Sequence, residues 1–385
     1  MSGLLTEYFL PPKIIMGNHS LDRVGDEARK YGSRVMLVCG QRAMRESGTL
    51  QKCQSLLESK DLEVILFDQV KGEPDLDLVR EGLTLAREEK VEVVIGLGGG
   101  SAIDVAKAVA GLFYLEGEVE EYHDGRKIEG PGIAFMAIPT TAGTGAEVTN
   151  NSVLTNQKTS LKQSIRSPLW YARCVIVDPT LTLSIPPAVT AATGADALVQ
   201  AIEAYSSSRA QPITDALAAR AIQLLGANLA RVYKNGQNLK ARKDMLVGSV
   251  LAGMALSNAG LGAIHALAHP IGVQLDLPHG LVCGILLPSV MEHNLECAQE
   301  KYAQIAGLLG VDIVGSSPWE AAQLAIQKVK AVLKEVEIPE DFRGFDRRAL
   351  NYPEIISYAL SSNSLKYNPR KMEAEDLKEI LDEVM

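Results

Sequence analysis

Short apolar runs, separated by stretches with helical spacing, dominate the first half of the chain. The runs are continuous rather than alternating, which is typical of strands buried on both faces of a parallel sheet. Strands that alternate with helices in this way indicate βαβ units. The pattern predicts strands at 34–39, 62–67, 91–97, 133–138 and 174–178, and helices at 76–90 and 102–112.

The pattern of hydrophobic positions changes near residue 184. Pro186 and Pro187 mark a break, and from Thr190 onward the chain is rich in Ala and Leu with helical periodicity. This part predicts helices at 193–207, 212–231, 240–258, 262–272, 281–309, 317–336 and 373–384. We therefore predict an α/β domain with a parallel sheet over 1–184 and an all-α domain over 185–385.

Composition narrows the class of protein. The chain has 385 residues, more than one core usually supports, and a net charge of −9. An acidic balance disfavours a nucleic-acid partner, because it repels polyanions. The five cysteines are widely spaced and form no C-x-x-C pair, as expected for reduced thiols in the cytoplasm. We see neither a signal peptide nor a long uncharged apolar run, so no membrane partner is expected.

A glycine-rich turn follows the predicted strand at 91–97. Gly98, Gly99 and Gly100 let the backbone approach a ligand closely, and Ser101 is placed to cap the next helix, with Asp104 completing a capping box. A helix N-terminus offers free N–H groups to an anion such as a pyrophosphate. The last glycine of a G-x-G-x-x-G pattern is replaced by Ser101, and a tight turn without a ligand remains an alternative.

A second turn, PTTAGTGAE at 139–147, follows the strand at 133–138. It places threonine hydroxyls and glycines at the carboxyl end of a strand, where ligands of α/β proteins bind. Those hydroxyls suit a phosphate or a ribose. An ordinary polar loop is the alternative.

Histidines concentrate in the second half of the chain. His265 and His269 are four residues apart on a predicted helix, His279 follows, and Asp196 and Gln200 show the same spacing on another helix. This mixture of nitrogen and oxygen donors fits a divalent metal site. The H-x-x-x-H spacing is also common by chance, so a metal-free interpretation stays open.

Four sequence blocks carry a resemblance to a known family. They are GGGSAIDVAKAVA (98–110), PTTAGTGAEVTNNSVLT (139–155), GADALVQAIEAY (194–205) and HALAHPIGVQLDLPHG (265–280). In order and spacing they resemble the iron-dependent (group III) alcohol dehydrogenases, the family of lactaldehyde reductase and 1,3-propanediol dehydrogenase. The resemblance implies an N-terminal dinucleotide-binding α/β domain, an all-α C-terminal domain that carries the metal, and an active site in the cleft.

The resemblance also assigns individual residues. The implied metal ligands are Asp196, Gln200, His265 and His279, and His269 is the implied proton-transfer residue. The family usually has His where this chain has Gln200, so a weak amide ligand, a water in its place, or a metal-free site are all open. The implied ion is Fe²⁺ or Zn²⁺. The implied cofactor contacts are Gly98, Gly99, Gly100, Ser101, Thr140, Thr141, Thr144, Lys162 and Leu181, and the implied substrate contacts are Asn151 and Leu256.

The end of the strand at 34–39 bears on the choice of cofactor. NAD-preferring relatives often carry Asp there, which bonds the ribose 2′-hydroxyl and repels a 2′-phosphate. This chain has Gly40, followed by Gln41 and Arg42. The repulsion is absent and a cation is near, so we expect NADP in preference to NAD.

These features predict an NAD(P)-dependent alcohol dehydrogenase or aldehyde reductase that is cytoplasmic and homodimeric and acts on a small-molecule substrate. Three alternatives remain at this stage. They are a metal-independent reductase of the maleylacetate-reductase type, a lyase similar to dehydroquinate synthase, and a non-catalytic dinucleotide-binding protein whose metal site has decayed at Gln200.

Overall fold

The structure, a computed structural model, describes residues 7–159 and 161–385. The chain divides into two compact units. The first comprises the residues up to Thr141 together with Ala146–Ser184, and the second comprises Ala142–Gly145 and Ile185–Met385. The assignment of cofactor binding to 1–184 and of metal binding to 185–385 stays a prediction.

A six-stranded parallel sheet forms the centre of the first unit, which confirms the predicted fold class. Its strands are β1 (Ile14–Met16), β2 (Arg34–Gly40), β3 (Glu63–Val70), β4 (Val93–Gly98), β5 (Ala134–Pro139) and β8 (Cys174–Val177), in the order β1-β8-β5-β4-β2-β3. The chain runs outward from β2 to β3 and, in the opposite direction, from β4 to β5. The carboxyl ends of β2 and β4 therefore flank the topological switch point, where ligands of open α/β sheets bind.

An antiparallel pair, β6 (Asn151–Asn156) and β7 (Leu161–Arg166), stands apart from this sheet. The hydrophobic pattern missed it because both strands mix polar and apolar residues. The helices of this unit are α1 (Val24–Ala28), α2 (Ala43–Glu46), α3 (Thr49–Glu58), α4 (Leu76–Glu88), α5 (Gly100–Leu112) and α6 (Val119–His123).

The start of α5 differs from the sequence prediction. The helix begins at Gly100 with Gly99 as its N-cap, so Ser101 lies within the first turn and does not cap it. Asp104 forms no capping box, because its Oδ2 accepts a hydrogen bond from the Val153 amide at 3.2 Å. The expected Ser101 cap is therefore wrong, and the glycine backbone alone starts the helix.

A buried charge cluster ties α5 to the segment that leads into β6. The Lys107 ammonium donates to the carbonyl oxygens of Ala146 and Asn151, each at 2.7 Å. The carboxylates of Asp104 and Glu147 interact electrostatically with this ammonium. Burial raises their pKa values to about 6 and about 7, respectively. Burial lowers the pKa of Lys107 to about 8. The cluster holds residues 146–151 against the helix that follows the glycine turn.

The second unit is built of helices. They are α7 (Pro187–Ser206), α8 (Pro212–Lys234), α9 (Leu239–Ala259), α10 (Ala263–Leu275), α11 (His279–Leu308), α12 (Pro318–Glu335), α13 (Tyr352–Ser361) and α14 (Ala374–Val384). Helix α7 packs against α8, α9 and α11, and all its residues from Gly194 to Ser206 are buried. Pro187 occupies its first turn, where a missing N–H costs nothing, so the helix starts six residues before the predicted 193.

Two further points concern these helices. The short helix α13 was not predicted. Among residues 7–159 and 161–385, no single helix is both long and apolar enough to cross a membrane, and α9 and α10 meet that test only as a pair, with a bend of 107° between them.

Replacing Glu147 with Gln tests the buried charge cluster. The pKa of Glu147 rises from 4.5 to about 7 on folding, so its contribution to the free energy of unfolding is lost as the pH rises across that interval. Glu147→Gln cannot titrate, so it gains stability relative to the wild type over the same interval, by at most about 3 kcal/mol. Melting midpoints measured on both sides of the interval check this, and a difference that does not change with pH contradicts it.

Candidate metal centre and dinucleotide site

Three polar side chains lie on one face of the central helix α7. Asp196, Gln200 and Glu203 follow the i, i+4, i+7 spacing that places residues on a single helical face, and all three are buried. Buried charged groups require partners that compensate the loss of water. The neighbouring helices α10 and α11 supply them.

His265, in the first turn of α10, lies between the two carboxylates. Its Nδ1 is 2.5 Å from Glu203 Oε2, and its Nε2 is 3.4 Å from Asp196 Oδ1. The other Glu203 oxygen accepts a hydrogen bond from the Ile264 amide at 2.9 Å. Glu203 thus fixes both the start of α10 and the orientation of the imidazole, as carboxylates do behind histidine ligands of metals.

A close approach of α11 to α7 brings in the second histidine. A Cβ atom at Gly280 would lie 2.0 Å from the Ala192 carbonyl oxygen, so only glycine fits there. The preceding residue, His279, is the first of α11, and its Nε2 is 3.8 Å from Asp196 Oδ1. The glycine of the PHG motif therefore sets the distance between this imidazole and Asp196.

A thiol completes the group of donor atoms. Cys283 lies one turn after His279 on α11, and its Sγ is 3.5 Å from His279 Nε2. One donor atom each from Asp196, His265, His279 and Cys283 lie within 4.8 Å of one another. The sequence prediction did not include Cys283 or Glu203. The i, i+4 spacing from His279 and the i+7 spacing from Asp196 were the available signals.

Gln200 and His269, both predicted for this site, lie at its margin. The Gln200 amide nitrogen donates to Asp196 Oδ2 at 3.0 Å, and its oxygen is buried without a hydrogen-bond partner among the described residues. The ring of His269 stacks on that of His279 with centroids 4.8 Å apart, and His269 is partly exposed. Their roles as ligand and as proton carrier stay predictions.

The electrostatics of the group call for a cation. Burial lowers the pKa of His265, but the neighbouring charges of Glu203 and Asp196 outweigh it and raise that pKa to about 10. Asp196 Oδ1 and His265 Nε2 are buried and have no hydrogen-bond partner in the described chain. Oxygen and imidazole donors that face one another in this way fit a divalent ion such as Fe²⁺ or Zn²⁺.

The glycine turn and the first threonines of the second turn meet in the first unit. The Thr140 amide donates to the Gly98 carbonyl at 2.9 Å, and a Cβ atom at Gly99 would lie 3.3 Å from Thr141 Oγ1. Gly98 has a φ of 155°, and a Cβ atom there would lie 2.9 Å from Ala102 Cβ. The backbone at Gly98 therefore requires glycine, and the turn opens onto the N-terminus of α5, whose first residues are Gly100 and Ser101.

Other predicted cofactor residues are more scattered. Gly40 ends β2 beside β4, and Arg42 is exposed at the start of α2. Lys162, on β7, pairs with Glu73 at 2.6 Å, and Leu181 belongs to the hydrophobic core that also contains Leu97.

Three further predicted residues are divided between the two units. Thr144 is exposed in the segment Ala142–Gly145, which clusters with the second unit. Asn151 begins β6 in the first unit, and its amide nitrogen is 3.4 Å from Ser164 Oγ. Leu256 lies on α9 in the second unit and is half-buried.

Comparison with known proteins identifies the family. The sequence model described as "Iron-containing alcohol dehydrogenase" matches residues 11–179, and that described as "Fe-containing alcohol dehydrogenase family, C-terminal" matches residues 190–385. The chain belongs to the iron-containing alcohol dehydrogenase family, which confirms the resemblance drawn from the four sequence blocks.

Relatives match over nearly their whole length. A 1,3-propanediol dehydrogenase of Citrobacter freundii is 36% identical over 99% of both chains. An NAD-dependent methanol dehydrogenase of Bacillus methanolicus is 30% identical over 98% of this chain and 99% of its own. The crystal structure of a 1,3-propanediol oxidoreductase superposes with a TM-score of 0.95 at 36% identity, covering 99% of this chain and 100% of that one.

Replacing Glu203 with Gln tests whether this carboxylate supports a metal ligand. The variant loses the charge that orients His265, and we expect metal affinity to fall about 10- to 100-fold. Competition with a chromophoric chelator measures it. Glu296→Gln, an exposed change on α11, is the matched control and leaves the affinity unchanged. Equal affinities for the two variants contradict a supporting role for Glu203.

Proposed function

We propose that this protein is an NAD(P)-dependent alcohol dehydrogenase or aldehyde reductase that transfers a hydride between the nicotinamide cofactor and a small alcohol/aldehyde pair. The observation that carries this is the convergence of Asp196, His265 and His279, the first two of them buried, in a chain of the iron-containing alcohol dehydrogenase family. The glycine turn at Gly98 supports cofactor binding by the first unit.

We assign different roles in the reaction to different groups of residues. Asp196, His265 and His279 would hold a divalent ion, with Gln200 either as a further ligand or as a donor that orients Asp196. When bound, such an ion polarises a carbonyl oxygen as a Lewis acid, and NAD(P)H supplies the hydride. The amides at the start of α5 and the hydroxyls of the second turn bind the pyrophosphate and position the cofactor.

His269 is the residue we assign to proton transfer. It stacks on His279 and is partly exposed, so it can exchange a proton with solvent while remaining beside the donor group. In the reduction direction His269 delivers a proton toward the substrate oxygen, and in oxidation it accepts one. Asn151 and Leu256 are proposed to contact the substrate.

The arrangement of the donor atoms, together with the relatives, also discriminates among the alternative functions left open by the sequence. A proton on His265 would compensate the two carboxylates in a metal-independent reductase, but it gives no reason for His279 and Cys283 to converge on Asp196 as well. This wider convergence favours a metal-dependent reaction. Relatives named as dehydrogenases over the full length of the chain favour an oxidoreductase over a lyase or a non-catalytic binding protein.

We also propose that the protein is a homodimer in the cytoplasm. Strand β1 lies at the edge of the sheet, and Phe9, Leu10 and Met16 around it are large apolar residues at least 40% exposed, a combination that favours pairing with a second chain. No disulfide joins any of the five cysteines, as expected for a reducing compartment. Light scattering of the purified protein measures the oligomeric state.

Chelation tests the metal dependence of the reaction. We expect about one metal ion per chain, oxidation of NAD(P)H with short aldehydes, loss of that turnover after chelation and its return with Fe²⁺ or Zn²⁺. Asp196→Asn abolishes the return, because it removes the carboxylate that faces both histidines. Metal-free protein that still turns over would show that another donor polarises the carbonyl.

Substitution at the end of β2 tests the cofactor preference. Gly40→Asp introduces the carboxylate that repels a 2′-phosphate, and its Cβ would lie 3.6 Å from the Val70 carbonyl, an ordinary contact. We expect the ratio of kcat/KM for NADPH over NADH to fall about tenfold or more, which corresponds to about 1.4 kcal/mol or more.

The companion variant Arg42→Ala raises KM for NADPH and spares NADH, because only a 2′-phosphate engages the guanidinium. Arg220→Ala, an exposed arginine on α8, is the control and changes neither. A wild type that prefers NADH, or a preference unmoved by both Gly40→Asp and Arg42→Ala, contradicts the assignment of NADP.

A further inference from the structure

Cys283 lies inside the donor group although the resemblance assigns it no role. Its side chain is fully buried on α11, with Sγ 3.5 Å from His279 Nε2. It is one of the four residues whose donor atoms lie within 4.8 Å of one another. The thiol therefore lies where a ligand to the same ion would lie.

The separations between donor atoms match a four-coordinate site. Ligands about 2.0–2.3 Å from a common ion at tetrahedral angles lie about 3.3–3.8 Å apart. Asp196 Oδ1 is 3.4 Å from His265 Nε2 and 3.8 Å from His279 Nε2, and the latter is 3.5 Å from Cys283 Sγ. Three of the six edges of such a tetrahedron are thus present before any adjustment of side chains.

Two buried polar atoms point independently to a ligand at this place. Asp196 Oδ1 and His265 Nε2 have no hydrogen-bond partner in the described chain, and their side chains are 3% and 4% exposed. Gln200 directs its amide nitrogen, not its oxygen, to Asp196 Oδ2. An amide nitrogen does not coordinate a metal, and turning the amide over would bring its oxygen against a carboxylate oxygen.

We propose that Cys283 is the fourth protein ligand, giving an Asp196–His265–His279–Cys283 donor set in which Gln200 orients Asp196 and does not bind the ion. A substrate oxygen would then bind as a fifth ligand, as catalytic zinc sites allow. The inference rests on the proposed function in that it concerns the same ion. Coordination forms a metal–sulfur bond and releases the thiol proton to solvent. A thiolate donor favours Zn²⁺ over harder ions, so this chain selects zinc more strongly than an all-oxygen-and-nitrogen site would.

Cobalt substitution tests the metal–sulfur bond. The full-length protein is stripped of metal and loaded with Co²⁺, and the wild type is expected to show the near-ultraviolet charge-transfer absorption of a thiolate bound to Co²⁺. Cys283→Ser loses this band. Cys297→Ser, an exposed cysteine on the same helix, keeps it and is the matched control. A wild-type spectrum without the band, or a band that persists in Cys283→Ser, overturns the proposal.

X-ray absorption of the zinc-loaded wild type keeps the proposal testable even if Cys283→Ser does not fold. One sulfur neighbour at about 2.3 Å is expected, and a shell of nitrogen and oxygen alone overturns the assignment. Aldehyde-dependent oxidation of NAD(P)H on the same sample separates the two claims. Turnover without a sulfur neighbour overturns the role of Cys283 alone, and a sulfur neighbour without turnover supports that role while overturning the proposed function.

Discussion

Two carboxylates buried in the helical unit, on the central helix α7, constrain the rest of the metal centre. Asp196 and Glu203 converge on opposite nitrogens of one imidazole, His265, away from water. An isolated charge in such surroundings is costly, so the arrangement is stable only with a positive partner. A proton on His265 is one such partner, and a divalent ion held by Asp196 and the histidines is another. The demand for a cation explains why polar residues occupy the most buried helix of the unit.

The surrounding fold serves this constraint through backbone geometry. The close contact at Gly280 brings α11 against α7, and the Ile264 amide ties the first turn of α10 to Glu203. In the first unit, glycine at position 98 shapes the turn at the carboxyl end of β4, and the buried ammonium of Lys107 holds the segment 146–151 against α5. In both units, residues without a proposed role in the reaction fix the positions of the segments that carry the candidate site residues.

Helices and strands were predicted correctly from the sequence where their burial produces a regular pattern of apolar residues. Strands such as β4, buried on both faces, produce the continuous apolar runs that are typical of a parallel sheet. Strand β1 was missed because three residues give no pattern, and the pair β6–β7 because its residues mix polar and apolar types. The predicted Ser101 cap failed because the helix begins two residues earlier than a serine cap requires, on glycine backbone.

The candidate site was predictable only in part, because it joins three helices. Spacing identifies neighbours within one helix, and so found the pairs Asp196–Gln200 and His265–His269, but it carries no information about what lies across a helix interface. Glu203 and Cys283 were therefore missed, although each lies on the same face as a predicted residue. Which end of the Gln200 amide faces Asp196 is likewise set by packing and by charge, not by residue type.

The proposed metal centre requires a single divalent ion among Asp196, His265 and His279. Anomalous diffraction from crystals of the metal-loaded protein tests it most directly. We expect one strong peak about 2.0–2.2 Å from Asp196 Oδ1, His265 Nε2 and His279 Nε2. A fully loaded crystal with no peak there, or with its peak outside this group, would contradict it.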